Sequence, residues 1–390
     1  MIYLDHNATA PTDPSVAAAV TEALASAWAN PSSPHRAGQS ARRTLERSRA
    51  ALAALLGAAP GRSDLVFVSG GTEADTLALR GRLDPASGRT LILTARTEHA
   101  AVRETAATLA AAGTAEVHWL ATDPAGRVRP EELDRGLREI PDASRRVAVV
   151  SVSWANNETG VLQPVDALGE VCRRHRVALH VDAVQWVGRG PVDFDRRPID
   201  LLSVAAHKFG GPKGVGVLAV RRGVHLVADI AGGAQESGRR AGTENVPGIA
   251  GAAAAAEAAR ARVDALDAAA VARLEARRDA FETRILAAVP GARVHGADVP
   301  RLWNTSSIGV AGVDAATALL MLSERGVCAA AGAACSSGSI EPSPVLLAMG
   351  VPESVAAGTI RFSWGHDTAR DQLEAAAEIV IAVLRDLAGG

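Results

Sequence analysis

The stretch from Val147 to Gln185 reads VAVVSVSWANNETGVLQPVDALGEVCRRHRVALHVDAVQ. It contains two short apolar runs, Val147–Ser153 and Val177–Val181, separated by a segment with a helical pattern. Two strands that are joined through a helix favour a parallel pair, because parallel strands need a long crossover connection. The stretch therefore predicts one unit of an α/β fold.

The same alternation extends outward through the first two-thirds of the chain. Helices are predicted at Gln39–Leu56 and Thr72–Arg80, and further strands at Leu65–Ser69, Leu91–Thr94, Val117–Leu120, Leu201–Ala205 and Val215–Val220. We therefore predict a mostly parallel central sheet with helices on both faces.

The last third of the chain follows a different pattern. An Ala- and Arg-rich helix is predicted over Glu257–Ala288, followed by the strands Ser306–Val310 and Thr359–Ser363, the helices Asp314–Arg325 and Thr368–Leu387, and a small-residue loop, Ala329–Ser339. We therefore predict three parts: an N-terminal arm (residues 1–14) that packs with the small domain, a large domain (15–255) and a smaller α+β C-terminal domain (256–390).

Lysine is almost absent from this sequence. Of the 41 lysine and arginine residues, only Lys208 and Lys213 are lysines, and both lie in AAHKFGGPKG, residues 205–214. Arginine cannot replace lysine where a neutral amine must attack a carbonyl, because its guanidinium stays protonated. Lys208 closes a predicted strand and is a candidate Schiff-base residue, although two lysines can also persist side by side by chance.

Composition and charge argue against several classes of protein. A net charge of −2 and a hydrophobic content of 48% allow a large core and disfavour a nucleic acid or a membrane as partner. The first 13 residues lack a signal-peptide pattern, and Ala250–Ala261 is interrupted by two charged residues. Cys172, Cys328 and Cys335 have neither disulfide nor zinc spacing, and the first two are predicted to be core residues. We therefore expect a cytoplasmic protein.

Polar motifs follow several predicted strands, where ligands bind in open α/β sheets. Ser69–Glu73 (SGGTE) opens a helix whose N–H groups can bind a phosphate, although its glycines can also serve turn geometry alone. Asp182 either caps a helix or keeps a pyridine nitrogen protonated. Gln185 and Asn157 can reach the phenolic oxygen of such a ring. With Lys208 at another strand end, we favour a pyridoxal phosphate site.

Further candidates are two histidines, a cysteine and an arginine. His207 can bond the phosphate, and His99 can stack on the ring, move protons or be structural. Cys335 lies in GAACSSGS, where small neighbours favour an exposed loop and a reactive thiol. Arg361 can bind a carboxylate through two N–H groups or form a structural ion pair.

The sequence resembles the cysteine desulfurases of the class V aminotransferase family over nearly its whole length. The matching segments are YLDHNATAP (3–11), NPSSPH (30–35), SGGTEAD (69–75), EHAAV (98–102), WANNETGVLQPV (154–165), HVDAVQ (180–185), AHKFGGPKGVG (206–216), RRAGTEN (239–245) and GAACSSGSIEPS (332–343). The resemblance implies fold type I of the pyridoxal-phosphate-dependent transferases. It also implies an enzyme that takes sulfur from L-cysteine, releases L-alanine and holds the sulfur as a persulfide on Cys335.

The resemblance implies a role for each candidate residue. The implied catalytic residues are Lys208, which carries the cofactor, His99, which lies against its ring, and Cys335, which attacks the substrate sulfur. The implied cofactor ligands are Gly71, Thr72 and His207 at the phosphate, Asp182 at the pyridine nitrogen, Asn157 and Gln185 at the phenolic oxygen, and Thr243 at the phosphate of the partner subunit in a homodimer. Arg361 and Asn157 bind the substrate. No resident metal is implied, apart from an iron–sulfur cluster that Cys335 shares transiently with a scaffold protein.

Two departures from the family and several alternatives remain. Ala205 replaces a serine that contacts the phosphate, which is expected to weaken cofactor binding. The chain ends at Gly390, soon after its last predicted helix, whereas members that dock an iron–sulfur scaffold often continue further. The residues leave open a selenocysteine lyase, an aminotransferase, which would have no use for Cys335, and a catalytically silent binding partner. They also leave open which protein accepts the sulfur.

Overall fold

The computed structural model describes residues 1–332 and 341–388 of the 390-residue chain. Its strands are β1 (Ile2–Tyr3), β2 (Ser63–Val68), β3 (Leu91–Ala95), β4 (Glu116–Leu120), β5 (Val147–Ser153), β6 (Leu179–Asp182), β7 (Leu201–Ala205), β8 (Gly216–Arg221), β9 (Arg293–Val294), β10 (Thr305–Gly309), β11 (Val327–Cys328), β12 (Ala330–Ala331) and β13 (Thr359–Ser363). Its α-helices are α1 (Pro14–Ser26), α2 (Arg36–Leu56), α3 (Gly71–Arg80), α4 (Ala100–Ala111), α5 (Pro130–Glu139), α6 (Ala143–Arg146), α7 (Val165–His175), α8 (Val246–Asp264), α9 (Ala268–Ala288), α10 (Ala315–Glu324), α11 (Pro344–Ala348), α12 (Glu353–Ala356) and α13 (Arg370–Ala388).

The central sheet has seven strands in the order β2-β8-β7-β6-β5-β3-β4. Strands β7, β6, β5, β3 and β4 run parallel, and β8 is antiparallel to both of its neighbours. Every residue of β5 is buried, as expected for a strand that is covered by helices on both faces. The predicted α/β fold with a mostly parallel sheet is confirmed.

The β5–α7–β6 unit brings polar residues to one edge of this sheet. Ser153, the last residue of β5, pairs with Asp182, the last residue of β6. Because neighbouring parallel strands end at the same edge, the turn that follows β5 and the segment that follows β6 lie side by side. The same edge receives the ends of β3 and β7.

A second, antiparallel sheet, β12-β13-β10-β9, belongs to the C-terminal part of the chain. Its core contains Phe281, Phe362 and Trp364. Beside this core, Arg301 forms two hydrogen bonds with Glu282, from Nη1 to Oε1 at 2.7 Å and from Nη2 to Oε2 at 2.8 Å. Their side chains are only 3% and 7% exposed, so this is a buried ion pair.

The single long helix predicted over Glu257–Ala288 is wrong, because the structure has two helices there. α8 ends at Asp264, and α9 begins after Asp267, whose side chain accepts a hydrogen bond from the Ala270 N–H. A side-chain cap of this kind favours the start of a new helix over continuation of the old one. Ala256 of α8 packs in the core of the seven-stranded sheet.

The N-terminal arm crosses between the two sheets. Its β1 pairs with β11, and Leu4 is buried in the C-terminal core. Asn7 is 1% exposed and contacts residues from both sheets. Its N–H donates to Ser363 Oγ in β13, and its side-chain amide donates to the carbonyl of Asn157, which follows β5.

The structure can be compared with the predicted positions of the cysteines and of the small-residue loop. Cys172 is buried in α7, as predicted. Cys328 is half-buried in β11 instead of lying in the core, because its strand pairs with β1 alone among the described strands. The predicted loop Ala329–Ser339 begins with β12, and residues 333–340 lie outside the described ranges. Within the part of the chain that the structure describes, no helix is both long enough and apolar enough to cross a membrane.

Candidate active site

A cavity of about 1000 Å³ opens at the carboxyl ends of the parallel strands. It is lined by nine of the residues singled out from the sequence: Gly71, Thr72, His99, Asn157, Asp182, Gln185, His207, Lys208 and Arg361. Thr243 is exposed and is not among the described residues that line this cavity, and Lys213 is also exposed. Cys335 lies outside the described residues.

Lys208 ends a 3₁₀ turn, Ala206–Lys208, that directly follows β7. Its Nζ donates hydrogen bonds to the backbone carbonyls of Asn7, at 2.5 Å, and Ala8, at 3.0 Å. Burial, together with the positive charges of Arg361 and Arg189, lowers the pKa of Lys208 to about 8. A neutral amine, which can attack an aldehyde, is therefore accessible close to neutral pH.

Asp182 and His99 face the cavity from adjacent parts of the sheet edge. Asp182 Oδ1 accepts a hydrogen bond from the Val184 N–H at 2.9 Å. Burial raises the pKa of Asp182, while His99 and Lys208 oppose that shift. A cationic ring nitrogen beside Asp182 would stabilise the carboxylate in the same way.

His99 is the N-cap of α4, and its Nδ1 accepts a hydrogen bond from the Ala101 N–H at 3.1 Å. Burial lowers its pKa, so the neutral ring is favoured, and its proton is then on Nε2. The structural and the chemical interpretations of His99 are therefore compatible: Nδ1 holds the helix, and Nε2–H remains for the cavity.

Gln185 has one engaged end and one free end. Its Nε2 donates to the Asn7 carbonyl at 2.9 Å, and its buried Oε1 has no hydrogen-bond partner among the described residues. A buried polar atom without a partner is costly unless a ligand or water satisfies it. A polar group bound in this cavity would meet that requirement.

The start of α3 supplies an anion site in the cavity wall. The helix begins after Gly70, which has no side chain to cap it, so the first N–H groups of the helix can bind an anion. A Cβ on Gly71 would lie 2.8 Å from Val184 Cγ2, so the close packing at this point requires glycine. Ala205, where the family has serine, also lines the cavity and offers only a methyl group.

His207 lies at the same end of the cavity. Its Nδ1 is 3.2 Å from the hydroxyl of Thr9. Burial lowers the pKa of His207 to about 4, with Lys208 and Lys213 acting in the same direction. The neutral ring is therefore favoured in the protein without ligand, and it can donate a hydrogen bond to a phosphate.

Arg361 in β13 also lines the cavity. Its Nη2 donates to Asp5 Oδ1 at 2.8 Å, and its Nη1 donates to the Asn157 carbonyl at 2.9 Å. Its Nε is buried and has no partner in the described part of the chain. The fixed guanidinium therefore keeps donor capacity for a carboxylate.

Two acidic residues in the cavity lining, Glu98 and Asp75, have no role predicted from the sequence. Glu98 is fully buried, and neither carboxyl oxygen has a hydrogen-bond partner among the described residues. Burial and the nearby Asp182 raise its pKa well above the usual range. Asp75 is also buried, with Oδ1 3.6 Å from His180 Nε2, and burial raises its pKa in the same way. Asp75 lies in SGGTEAD and Glu98 lies in EHAAV, two of the segments that resemble the family. That resemblance is the signal in the sequence that could have identified them.

The N-terminal arm also contributes to the site, which no pattern in the sequence predicts. The carbonyls of Asn7 and Ala8 bind Lys208, and Asp5 binds Arg361. The segment YLDHNATAP was recognised, but its residues were given no contacts.

These features together fit pyridoxal phosphate. The cavity contains the amine of Lys208, whose pKa is lowered, and the carboxylate of Asp182, which can hold a ring nitrogen. It also contains the buried amide oxygen of Gln185, which has no partner among the described residues, and the uncapped helix start at Gly71.

Comparisons with known proteins agree with this geometry. The model of the family "Aminotransferase class-V" matches residues 2–375. A protein of Cereibacter sphaeroides named "Cysteine desulfurase" is 42% identical over 388 residues, which cover 99% of this chain and 96% of the relative. A solved "NIFS-LIKE PROTEIN" has a TM-score of 0.87 at 30% identity, with 99% of this chain and 100% of that chain covered. A structure titled "SspA in complex with cysteine" has a TM-score of 0.77 at 29% identity, with 93% of this chain and 98% of that chain covered. The chain therefore belongs to the aminotransferase class-V family and, within it, to the cysteine desulfurases.

Proposed function

We propose that this cavity uses pyridoxal phosphate to remove sulfur from L-cysteine, with Cys335 as the residue that receives the sulfur. The observation that carries the proposal is the position of Lys208, whose amine of lowered pKa faces Arg361 across one cavity. An amine for the cofactor and a guanidinium for an amino-acid carboxylate are the two anchors that an amino-acid substrate requires. The relative with a bound cysteine in its title supports the choice of substrate.

Several residues that line the cavity would hold the cofactor. Lys208 would provide the amine for its aldehyde and Asp182 the partner of its ring nitrogen. Gly71, Thr72 and His207 would bind its phosphate, and Asn157 and Gln185 would lie at its phenolic oxygen. When bound, pyridoxal phosphate withdraws electrons from the α-carbon of the amino acid and so makes bonds there easier to break.

Arg361 and His99 then act on the substrate. Arg361 binds the substrate carboxylate and fixes the orientation of the amino acid, which is a large part of catalysis in enzymes of this kind. The Lys208 amine can accept a proton from the α-carbon and return it, because its pKa is near neutrality. His99 offers its Nε2–H to the same space.

Sulfur transfer is assigned to Cys335 because it is the cysteine of the recognised segment GAACSSGSIEPS. Its thiolate attacks the substrate sulfur, a sulfur–sulfur bond forms, and the bond between that sulfur and the substrate β-carbon breaks. The β-carbon keeps the electron pair of the broken bond and takes up one proton to become a methyl group, and alanine leaves. A thiol reductant releases the stored sulfur as sulfide.

The test compares three single variants of the purified protein. The protein should be yellow and should release equal amounts of alanine and sulfide from cysteine with a thiol reductant. Cys335→Ala should remain yellow but lose sulfide release, while Cys328→Ala, the matched control, should keep both. Lys208→Ala should lose the yellow colour. Full sulfide release by Cys335→Ala would contradict the mechanism, and transamination without sulfide release would indicate an aminotransferase.

The assembly and setting of the protein are further parts of this proposal. We propose a homodimer in which the exposed Thr243 reaches the phosphate of the partner subunit, a cytoplasmic location, and an iron–sulfur scaffold or another thiolation protein as sulfur acceptor. Thr243→Ala should then weaken cofactor binding without dissociating the dimer, which gel filtration and absorbance titration would measure. An active monomer would contradict this arrangement. The division into arm (1–14), large domain (15–255) and small domain (256–390) also remains a proposal.

A further inference from the structure

The buried carboxyl group of Glu158 contacts both flanks of the segment that contains Cys335. On one flank, Ser343 Oγ donates a hydrogen bond to Glu158 Oε2 at 2.5 Å. On the other flank, a Cβ placed on Gly332 would lie 2.3 Å from the same oxygen, so the Gly332 backbone passes directly against it. One oxygen atom therefore borders both positions, which lie on either side of Cys335 in the sequence.

Glu158 is itself held firmly in place. It follows the end of β5, and Asn156 Oδ1 accepts hydrogen bonds from the N–H groups of Glu158 and Thr159, both at 2.9 Å. Only 5% of Glu158 is exposed. Its carboxyl position is therefore set by the rigid sheet edge that also carries Asn157.

Each flank is tied to a different structural element. Ser343 Oγ accepts hydrogen bonds from the N–H groups of Val345 and Leu346, both at 3.2 Å, and so caps α11. On the other side, Ala330 in β12 pairs with Arg361 in β13, the strand that carries the proposed substrate anchor. Glu158 thus joins a helix start, a strand end and the sheet edge at one point of the cavity wall.

The hydrogen bonding at Ser343 indicates which property of Glu158 matters. The hydroxyl has a single proton, which it donates to Oε2, so this oxygen serves as an acceptor. Burial raises the pKa of Glu158, while this hydrogen bond and the charges of Arg361 and Arg103 oppose the shift. An amide oxygen at the same place could accept the hydrogen bond equally well, whereas a methyl group could not.

We propose that Glu158 is a positioning residue for sulfur transfer, which holds Gly332 and Ser343 against the cavity wall and thereby fixes both ends of the segment with Cys335. The inference rests on the proposed role of Cys335 as sulfur acceptor. Glu158 needs no contact with the substrate or the cofactor for this role, since it acts through the two flanks.

The experiment uses Glu158→Ala, which removes the acceptor, Ser343→Ala, which removes the donor, and Glu158→Gln, the matched control that keeps an acceptor oxygen. In single-turnover reactions with cysteine, mass spectrometry follows persulfide formation on Cys335, and absorbance follows the response of the cofactor to substrate. In cofactor-free protein, amide hydrogen exchange of residues 345–349 reports how firmly the flank is held.

Glu158→Ala and Ser343→Ala should slow persulfide formation roughly tenfold or more, as expected when a reacting group is displaced by about 1 Å or less. The absorbance response of the cofactor to substrate should be the same as in the wild type, and the amide hydrogens of the flank after Ser343 should exchange faster. Glu158→Gln should resemble the wild type in all three measurements.

Unchanged persulfide formation in Glu158→Ala would overturn the proposal. Equal impairment of Glu158→Gln and Glu158→Ala would also overturn it, because a need for the carboxyl proton would replace the need for an acceptor. Absence of persulfide on Cys335 in the wild type would instead contradict the proposed function. The amide exchange of the cofactor-free variants would still decide whether Glu158 holds the flank.

Discussion

Pyridoxal phosphate attaches only to a neutral amine, so the pKa of Lys208 sets the pH range in which the cofactor-free protein captures it. Burial, with Arg361 and Arg189 nearby, lowers this pKa from 10.5 to about 8. At pH 7 the neutral fraction then rises from about 0.03% to about 9%, or roughly 300-fold. The rate of capture should therefore rise about tenfold per pH unit only up to about pH 8 and should then level off.

The assay mixes cofactor-free protein with excess pyridoxal phosphate in a stopped-flow instrument and follows absorbance from pH 6 to 10. The same reaction with free Nα-acetyl-lysine serves as reference, because it cancels the ionisation of pyridoxal phosphate itself. The ratio of the two rates should be constant below about pH 8 and should fall above it, since the free amine keeps losing protons up to about pH 10.5.

Arg361→Met provides a second arm of this test. Removal of a neighbouring positive charge favours the ammonium form, so the pH at which the ratio begins to fall should rise. A ratio that stays constant to pH 10 in the wild type would refute the reasoning, because Lys208 would then titrate like a solvated lysine.

Three further predictions concern affinity and stability. Arg361→Lys should weaken binding of an unreactive cysteine analogue, followed by absorbance titration, by about 1.5–3 kcal/mol, because lysine cannot present two fixed donors to a carboxylate. Glu98→Gln should make the cofactor-free protein more stable in urea at pH 8 than the wild type. A raised pKa gives stability that is complete below the ordinary value of 4.5 and is lost as pH rises, and glutamine does not titrate. Arg301→Ala should lower the free energy of unfolding in urea by about 3–5 kcal/mol, because it leaves Glu282 buried without its partner.

The three predictions can be checked by a control variant, a second pH or a contrary result. Equal affinity of Arg361→Lys and the wild type for the analogue would remove Arg361 as carboxylate anchor. At pH 4, Glu98→Gln and the wild type should differ less than at pH 8, and an equal difference at both would contradict a buried, protonated Glu98. Replacing both partners, Arg301→Met with Glu282→Leu, should recover much of the stability lost in Arg301→Ala.

The strands of the central sheet could be predicted because their signal is local. Val147–Ser153 and Leu201–Ala205 have the predicted bounds, since each is a short, mostly apolar run that is buried along its whole length. The break between α8 and α9 could not be predicted in the same way. Alanine favours helix on both sides of it, and the decision depends on a single side-chain cap at Asp267.

The same distinction between local and long-range signals applies to the candidate site. Lys208 and Asp182 could be singled out because each follows a recognisable strand, and the sheet geometry brings strand ends together. The contacts of Asp5 and Asn7 could not be predicted, because their partners are distant in sequence: Asp5 binds Arg361, and Asn7 binds Ser363, each 356 residues away. No local pattern encodes such a pair, and only the complete fold creates it.

The path of the N-terminal arm also bears on the order in which the protein matures during synthesis. Asn7 emerges from the ribosome almost first, yet it bonds Thr305 and Ser363, which follow it by 298 and 356 residues. The strands from β2 to β8 are made much earlier and can assemble as a unit while translation continues. A nascent chain stalled before β13 would therefore contain Lys208, the whole seven-stranded sheet and Thr305, but its arm would lack Ser363 and Arg361, the β13 partners of Asn7 and Asp5.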